Sequence, residues 1–127
     1  MSSLVVDASA LLALLQGEPG LERWDAAIAD AAISAVNLAE VIAKLADAGM
    51  PEGEIRETLE PLGLEVANFD ADQAYQAGLL RPLTRQFGLS LGDRACLALA
   101  RSRGLPVLTA DQAWEAVQLG VEVRVVR

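Results

Sequence analysis

Along the chain, short runs of consecutive apolar residues alternate with longer stretches in which apolar positions recur every three to four residues. Leu4-Val5-Val6 is a β-branched run that stops at Asp7, and Ser9 to Leu15 then carries helical spacing, closed by Gln16-Gly17 and the turn Glu18-Pro19-Gly20. Leu21 to Asp30 reads as a second helix, with Trp24 and Ile28 one turn apart, and Ala31 to Ser34 as a brief strand feeding a helix from Ser34 to Asp47. Gly49-Met50-Pro51 ends that helix. A polar helix is predicted over Pro51 to Leu59, a strand over Leu64 to Val66, and a long helix from an Asp70 cap to about Phe87, where Gly88 stops it. Ser90 or Gly92 opens the helix carrying Asp93 to Arg103, and Gly104 caps it. Pro106 to Thr109 is a strand, followed by a helix from Asp111 to about Gln118 and a last strand over Val121 to Val126.

Strands separated by helices imply right-handed crossovers and a mostly parallel sheet covered on both faces, an α/β fold in three layers. The gaps between elements are short, with no internal repeat and no linker composition, so residues 1–127 form one domain. In open parallel sheets ligands bind beyond the carboxyl ends of the strands, which directs attention to the residues immediately after each strand.

Composition narrows the chemistry. The 127 residues are 53% apolar, enough to offset chain entropy, and contain no histidine, which removes His-based acid/base catalysis and every His-ligated metal site. The single cysteine, Cys96, lies among Ala95, Leu97 and Ala98 and reads as a packing residue. The Ala8 to Leu15 run is far shorter than the ~20 residues a bilayer requires. The start Met-Ser-Ser-Leu-Val-Val-Asp lacks the basic region of a signal peptide, so a cytoplasmic protein is expected, without membrane contact. Carboxylates dominate what remains. Eighteen acids stand against ten bases, and the isoelectric point is about 4.4. The charge is unevenly spread: between Leu79 and Gly104 five arginines, Arg81, Arg85, Arg94, Arg101 and Arg103, meet the single acid Asp93. A net charge of −8 disfavours loose electrostatic binding of nucleic acid, yet a local arginine cluster can contact phosphates. Arg81, Arg85 and Arg94 are the candidates for that contact; a solvated helix face is the alternative.

Four acids fall where a site would be. Asp7 follows the first strand and Asp111 lies two residues after Thr109, both on one edge of a parallel sheet; either could instead be a helix N-cap. Glu40 shares a narrow polar wedge with Asn37, Lys44 and Asp47 on a helix that is otherwise apolar on two faces. That helix is therefore expected to be largely buried, its wedge opening on solvent or a cleft, with Glu40 and Lys44 as an i, i+4 pair. Asp93 sits in the first turn of its helix, where it also suits the helix dipole. If the four converged, each pair at ~4 Å would repel by about 4 kcal/mol at an effective dielectric of 20, so such a cluster needs cations or protons. Oxygen-only ligation suits Mg²⁺ or Mn²⁺, and an acidic pocket with such an ion beside arginines is the equipment of phosphodiester hydrolysis.

With these residues placed, the chain resembles the PIN-domain ribonucleases, and among them the VapC-type toxins of toxin-antitoxin pairs. The resemblance spans the whole sequence: Val6-Asp7-Ala8-Ser9-Ala10-Leu11, Glu18-Pro19-Gly20, Ser34 to Val41, Leu89-Ser90-Leu91-Gly92-Asp93-Arg94-Ala95, and Val107-Leu108-Thr109-Ala110-Asp111 with Trp114. It implies a PIN-like α/β/α domain and a metal-binding, catalytic quartet of Asp7, Glu40, Asp93 and Asp111. Ser9, Asn37 and Thr109 match the polar positions that hydrogen-bond the acids or a bound water. The implied activity is a Mg²⁺- or Mn²⁺-dependent endoribonuclease in which an activated water attacks RNA and leaves a 5′-phosphate. The implied partners are a VapB-like antitoxin and a second copy of the chain. A PIN module that binds RNA or protein without catalysis, or a PIN nuclease outside any toxin pair, is the alternative. Two other acidic α/β folds fit worse: a phosphoacceptor receiver needs a lysine after its last strand, whereas Lys44 is the only lysine, and a haloacid dehalogenase needs Asp where Ser9 stands.

Overall fold

The computed structural model describes residues 1–127. Five strands, β1 (Leu4–Val6), β2 (Ala31–Ser34), β3 (Glu65–Ala67), β4 (Val107–Thr109) and β5 (Val123–Val125), form one sheet in the order β3-β2-β1-β4-β5. Every pairing is parallel, with Val5 opposite Ala32 on one side and Val107 on the other. Seven α-helices accompany them: α1 (Ala8–Leu15), α2 (Asp25–Ile28), α3 (Ala35–Asp47), α4 (Glu52–Leu59), α5 (Ala71–Leu79), α6 (Arg81–Thr84) and α7 (Leu91–Arg103).

Alternation along the strands divides the core in two, because successive side chains leave a strand on opposite faces. Leu4, Val6, Ile33 and Leu108 pack with Leu11 of α1, Ile28 of α2, Val41 of α3, and Ile55 and Leu59 of α4. Val5, Ala32 and Val107 pack with Cys96, Leu97 and Ala100 of α7, Ala77 of α5, and Trp114. The result is the three-layer α/β/α architecture of a PIN-like fold, with α7 buried along most of its length. Gly104 ends α7 in the left-handed conformation, φ +65°, which only glycine adopts at little cost. No helix is long and apolar enough to cross a membrane.

Three predicted helices are broken. The segment Leu21 to Asp30 is a 3-10 turn, Glu22–Trp24, followed by the single turn of α2. The stretch from Asp70 to Phe87 divides into α5, α6 and a 3-10 turn, Arg85–Phe87. Pro82 is the physical reason for that division: it has no N–H to give, and its ring excludes the carbonyl four residues back. After Asp111 the chain makes only a 3-10 turn, Gln112–Ala116, that seats the fully buried Trp114.

α3 corrects another expectation. Only Asn37 and Val41 are buried in it, while Ala39, Ile42, Ala43 and Ala46 are exposed. The alanines reflect helix propensity, which exposure does not penalise, and the supposedly polar wedge contains Asn37, one of the only two buried side chains of the helix.

Candidate active site

β1 lies at the middle of the sheet, and the chain runs outward from it first through β2 and β3, then on the other side through β4 and β5. The carboxyl ends of β1 and β4 therefore flank the point where the winding reverses, the crevice in which open α/β sheets bind ligands. A cavity of about 220 Å³ opens there, lined by Asp7, Ser9, Asn37, Glu40, Lys44, Asp93 and Asp111, with Ala8 and Leu12. All four predicted acids thus reach one hollow from four separate segments, and all three predicted polar neighbours lie in or against it.

Each acid is held by its local structure. Asp7 is both the N-cap of α1 and the floor of the cavity: one carboxylate oxygen accepts from the Ala10 N–H at 2.9 Å and the other from the Thr109 hydroxyl at 2.9 Å. The Ser9 hydroxyl stands 2.9 Å from both oxygens and accepts from the Ala110 N–H. Thr109 in turn accepts from the Asp111 N–H at 3.1 Å, so β1, α1 and the end of β4 are laced together through one carboxylate. Asp111 caps the turn that follows it, accepting from Ala113. Asp93 completes a capping box with Ser90: its Oδ2 accepts the Ser90 N–H at 2.9 Å, and its own N–H donates to the Ser90 hydroxyl. In Asp93 and Asp111 capping and lining the cavity coexist because the cap occupies one of the two carboxylate oxygens.

Glu40 is placed differently. Its Oε1 accepts from the Asn37 side-chain amide at 2.9 Å, and the same amide nitrogen donates to the Gly92 carbonyl at 2.9 Å, tying α3 to the first turn of α7. The expected pair with Lys44 is not among the ion pairs of the structure, although Lys44 does line the cavity. Asn37 is 1% exposed, and its Oδ1 is buried without a partner.

Electrostatics follow from burial. Asp7 is 4% exposed, and desolvation pushes its carboxyl up to about 6, against the downward pull of Ala10, Ser9 and Thr109; the charge of Asp93 adds to the rise. Burial also pushes the Cys96 thiol well up, helped by Asp7, Asp93 and Glu40, so this cysteine is a protonated packing residue.

The three candidate arginines stand outside the cavity lining. Arg94 donates to the Ala77 carbonyl at 3.1 Å and so ties α7 to α5, whereas Arg81 and Arg85 are exposed in α6 and the turn after it. Cations nearer the acids are Lys44 and, in an adjoining hollow of about 400 Å³ that shares Ser9 and Asp111, Arg127. Lys44 was visible through its helical phase with Glu40; nothing in the sequence pattern marked Arg127, which folds back to pair with Glu18.

A fully parallel α/β/α domain with carboxylates from four segments gathered at the switch point of its sheet is the architecture of an acidic, oxygen-donor site. The chain belongs to the PIN domain family, whose model matches residues 4–119. Similar solved structures are VapBC toxin-antitoxin proteins. The DNA-bound VapBC of Salmonella typhimurium aligns over 100% of both chains, with TM-score 0.80 at 22% identity. VapBC-5 of Mycobacterium tuberculosis covers 98% of each chain at 27% identity, TM-score 0.65. VapC20 of the same organism, a Sarcin-Ricin loop cleaving toxin, covers 94% of this chain and 99% of its own, with TM-score 0.74 at 20% identity. Among curated proteins, none matches the chain.

Proposed function

We propose that this PIN domain is a metal-dependent endoribonuclease acting as the toxin of a type II toxin-antitoxin pair in the cytoplasm. The observation that carries the reading is the single cavity onto which Asp7, Glu40, Asp93 and Asp111 converge in a chain without histidine. The donor set fits a hard divalent cation: it is all oxygen, Asp7 is buried with a raised proton affinity, and Asn37 Oδ1 has no partner. As the side chains stand, no three of the acids form a ready-made ligand group. Mg²⁺ or Mn²⁺ binds through one or two carboxylates and keeps several waters.

When bound, the ion supplies Lewis acidity toward a phosphate oxygen and makes water a competent nucleophile near neutral pH. Asp7 and Asp93 are the residues proposed to hold it, with Glu40 and Asp111 completing the site directly or through water. Ser9 and Thr109 fix the Asp7 carboxylate by donating to it, and Asn37 fixes Glu40. Cleavage breaks the bond between phosphorus and the 3′ oxygen, leaving a 3′-hydroxyl and a 5′-phosphate. Lys44 at the cavity and Arg127 in the adjoining hollow, the latter once released from Glu18, are the cations proposed to meet neighbouring phosphates, with Arg81 and Arg85 farther along the surface. A VapB-like antitoxin partner is supported by the VapBC proteins of like fold. A second copy of the chain is supported by the exposed apolar residues Tyr75 and Leu79 of α5 and Leu83 of α6.

The test is cleavage of a mixed cellular RNA pool by the purified, antitoxin-free protein with Mg²⁺ or Mn²⁺. Cleavage giving 5′-phosphate ends, abolished by EDTA and by Asp93→Asn, is the expected result. Folded protein that binds Mn²⁺ yet leaves RNA intact identifies a binding module, and folded protein that binds no metal overturns the assignment of the four acids.

A further inference from the structure

Gly92 has no conformational reason to be glycine. Seven of the ten glycines have positive φ, and Gly92 is not one of them; it sits within the first turn of α7, where glycine is a poor helix former. Of the three glycines with ordinary φ, Gly53 and Gly78 face open space, whereas a Cβ at Gly92 would collide with Glu40, 2.6 Å from its Cδ and nearer still to both carboxylate oxygens. The three nearest atoms to that missing side chain all belong to the Glu40 carboxyl group, so the tightest contact at this position is with a side chain and not with the α3 backbone. The Gly92 carbonyl holds the Asn37 amide that donates to the same carboxylate.

We infer that Gly92 is a positioning residue: the space left by its absent side chain is the seat of the Glu40 carboxylate, and with Asn37 it holds that group at the cavity. The inference rests on the reading of this cavity as a divalent-cation site, but the contact itself does not. Any side chain at position 92 swings the flexible, exposed Glu40 out of the site while α7 stays folded, because alanine is a better helix residue than glycine.

The experiment uses Gly92→Ala, Glu40→Ala and the double variant. Mn²⁺ titration reads the metal, and the NMR signals of the Asn37 side-chain amide read the seat without any metal. Gly92→Ala is expected to weaken Mn²⁺ binding about tenfold or more, the usual cost of losing a group that orients a ligand, and to move the Asn37 amide signals as Glu40→Ala does. The double variant should match Glu40→Ala in both, with melting temperatures within a few degrees of the parent. Gly92→Ala with unchanged Asn37 signals overturns the inference, as do effects that add in the double variant. Gly92→Ala that fails to fold while the double variant folds supports the seat; failure of both overturns it. A parent protein that binds no Mn²⁺ defeats the metal reading alone, and the amide signals then decide for Gly92.

Discussion

At the residue scale, Asp7 carries two opposed demands. Three donors stabilise its charged form, yet burial outweighs them, and the carboxyl holds its proton up to about pH 6. The folded state therefore binds a proton more tightly than the unfolded chain, whose aspartate has the ordinary value of 3.8. Between those values the folded protein carries more protons than the unfolded one, so stability falls as pH rises, by about 3 kcal/mol in all for a shift of roughly two units. The contribution is complete below pH 4 and gone above pH 6. Urea midpoints measured from pH 4 to 8 without divalent metal are expected to show this decline, and Asp7→Asn to remove it. The same proton competes with a cation, so Mn²⁺ affinity and RNA cleavage should weaken below pH 6. Asp7 was legible from sequence because an acid ending an apolar strand has few explanations. Its altered affinity was not, since it depends on how deeply the fold buries the carboxyl against the opposing pull of the Ala10, Ser9 and Thr109 donors.

Elements differ in how openly the sequence announces them. The three central strands were plain, since β1, β2 and β4 are short runs buried at every residue and such parallel strands need little alternation, whereas the edge strands β3 and β5 carry the exposed Glu65 and Arg124. Helix continuity was harder to read: Pro82 and the burial of Trp114 broke two segments whose apolar spacing alone suggested unbroken helices. α3 was misjudged as largely buried because alanine serves helix propensity as well as cores, and Asn37 could be found at the α3–α7 junction only once the helices were in place. α7 is the best announced, with Ser90 and Asp93 boxing its start and Gly104 ending it. These two ends separate stability from function. Gly104→Ala puts a Cβ into the left-handed region and should cost about 1 kcal/mol or somewhat more. Because the strain lies at the opposite end of α7 from Asp93, denaturant unfolding should register it while RNA cleavage per folded molecule stays unchanged. Loss of cleavage in proportion exceeding the unfolded fraction would show that the two ends of α7 are coupled.

At the scale of the whole molecule, the sequence could place acids after strands but could not order the strands. The order β3-β2-β1-β4-β5 is what brings Asp7 and Asp111 side by side at the reversal of winding, and α3 and α7 then carry Glu40 and Asp93 to the same crevice. Gathering negative charge in a protein already at −8 opposes folding, because four acids line the cavity and Lys44 is the one cation among its lining residues. A divalent cation bound only by the folded state relieves that repulsion and shifts the folding equilibrium by mass action. Mg²⁺ or Mn²⁺ at a hundred times its Kd should add about 2.7 kcal/mol, on the order of 10 °C in Tm for a domain of this size. Differential scanning calorimetry at pH 7.5 checks it: the rise should reverse with EDTA and shrink sharply in Asp93→Asn. An equal rise in that variant would mean that the cation stabilises the fold from somewhere other than this cavity. Sodium chloride at matched ionic strength should give only a small rise, since screening acts on the diffuse charge of the whole molecule and weakly on a buried group such as Asp7.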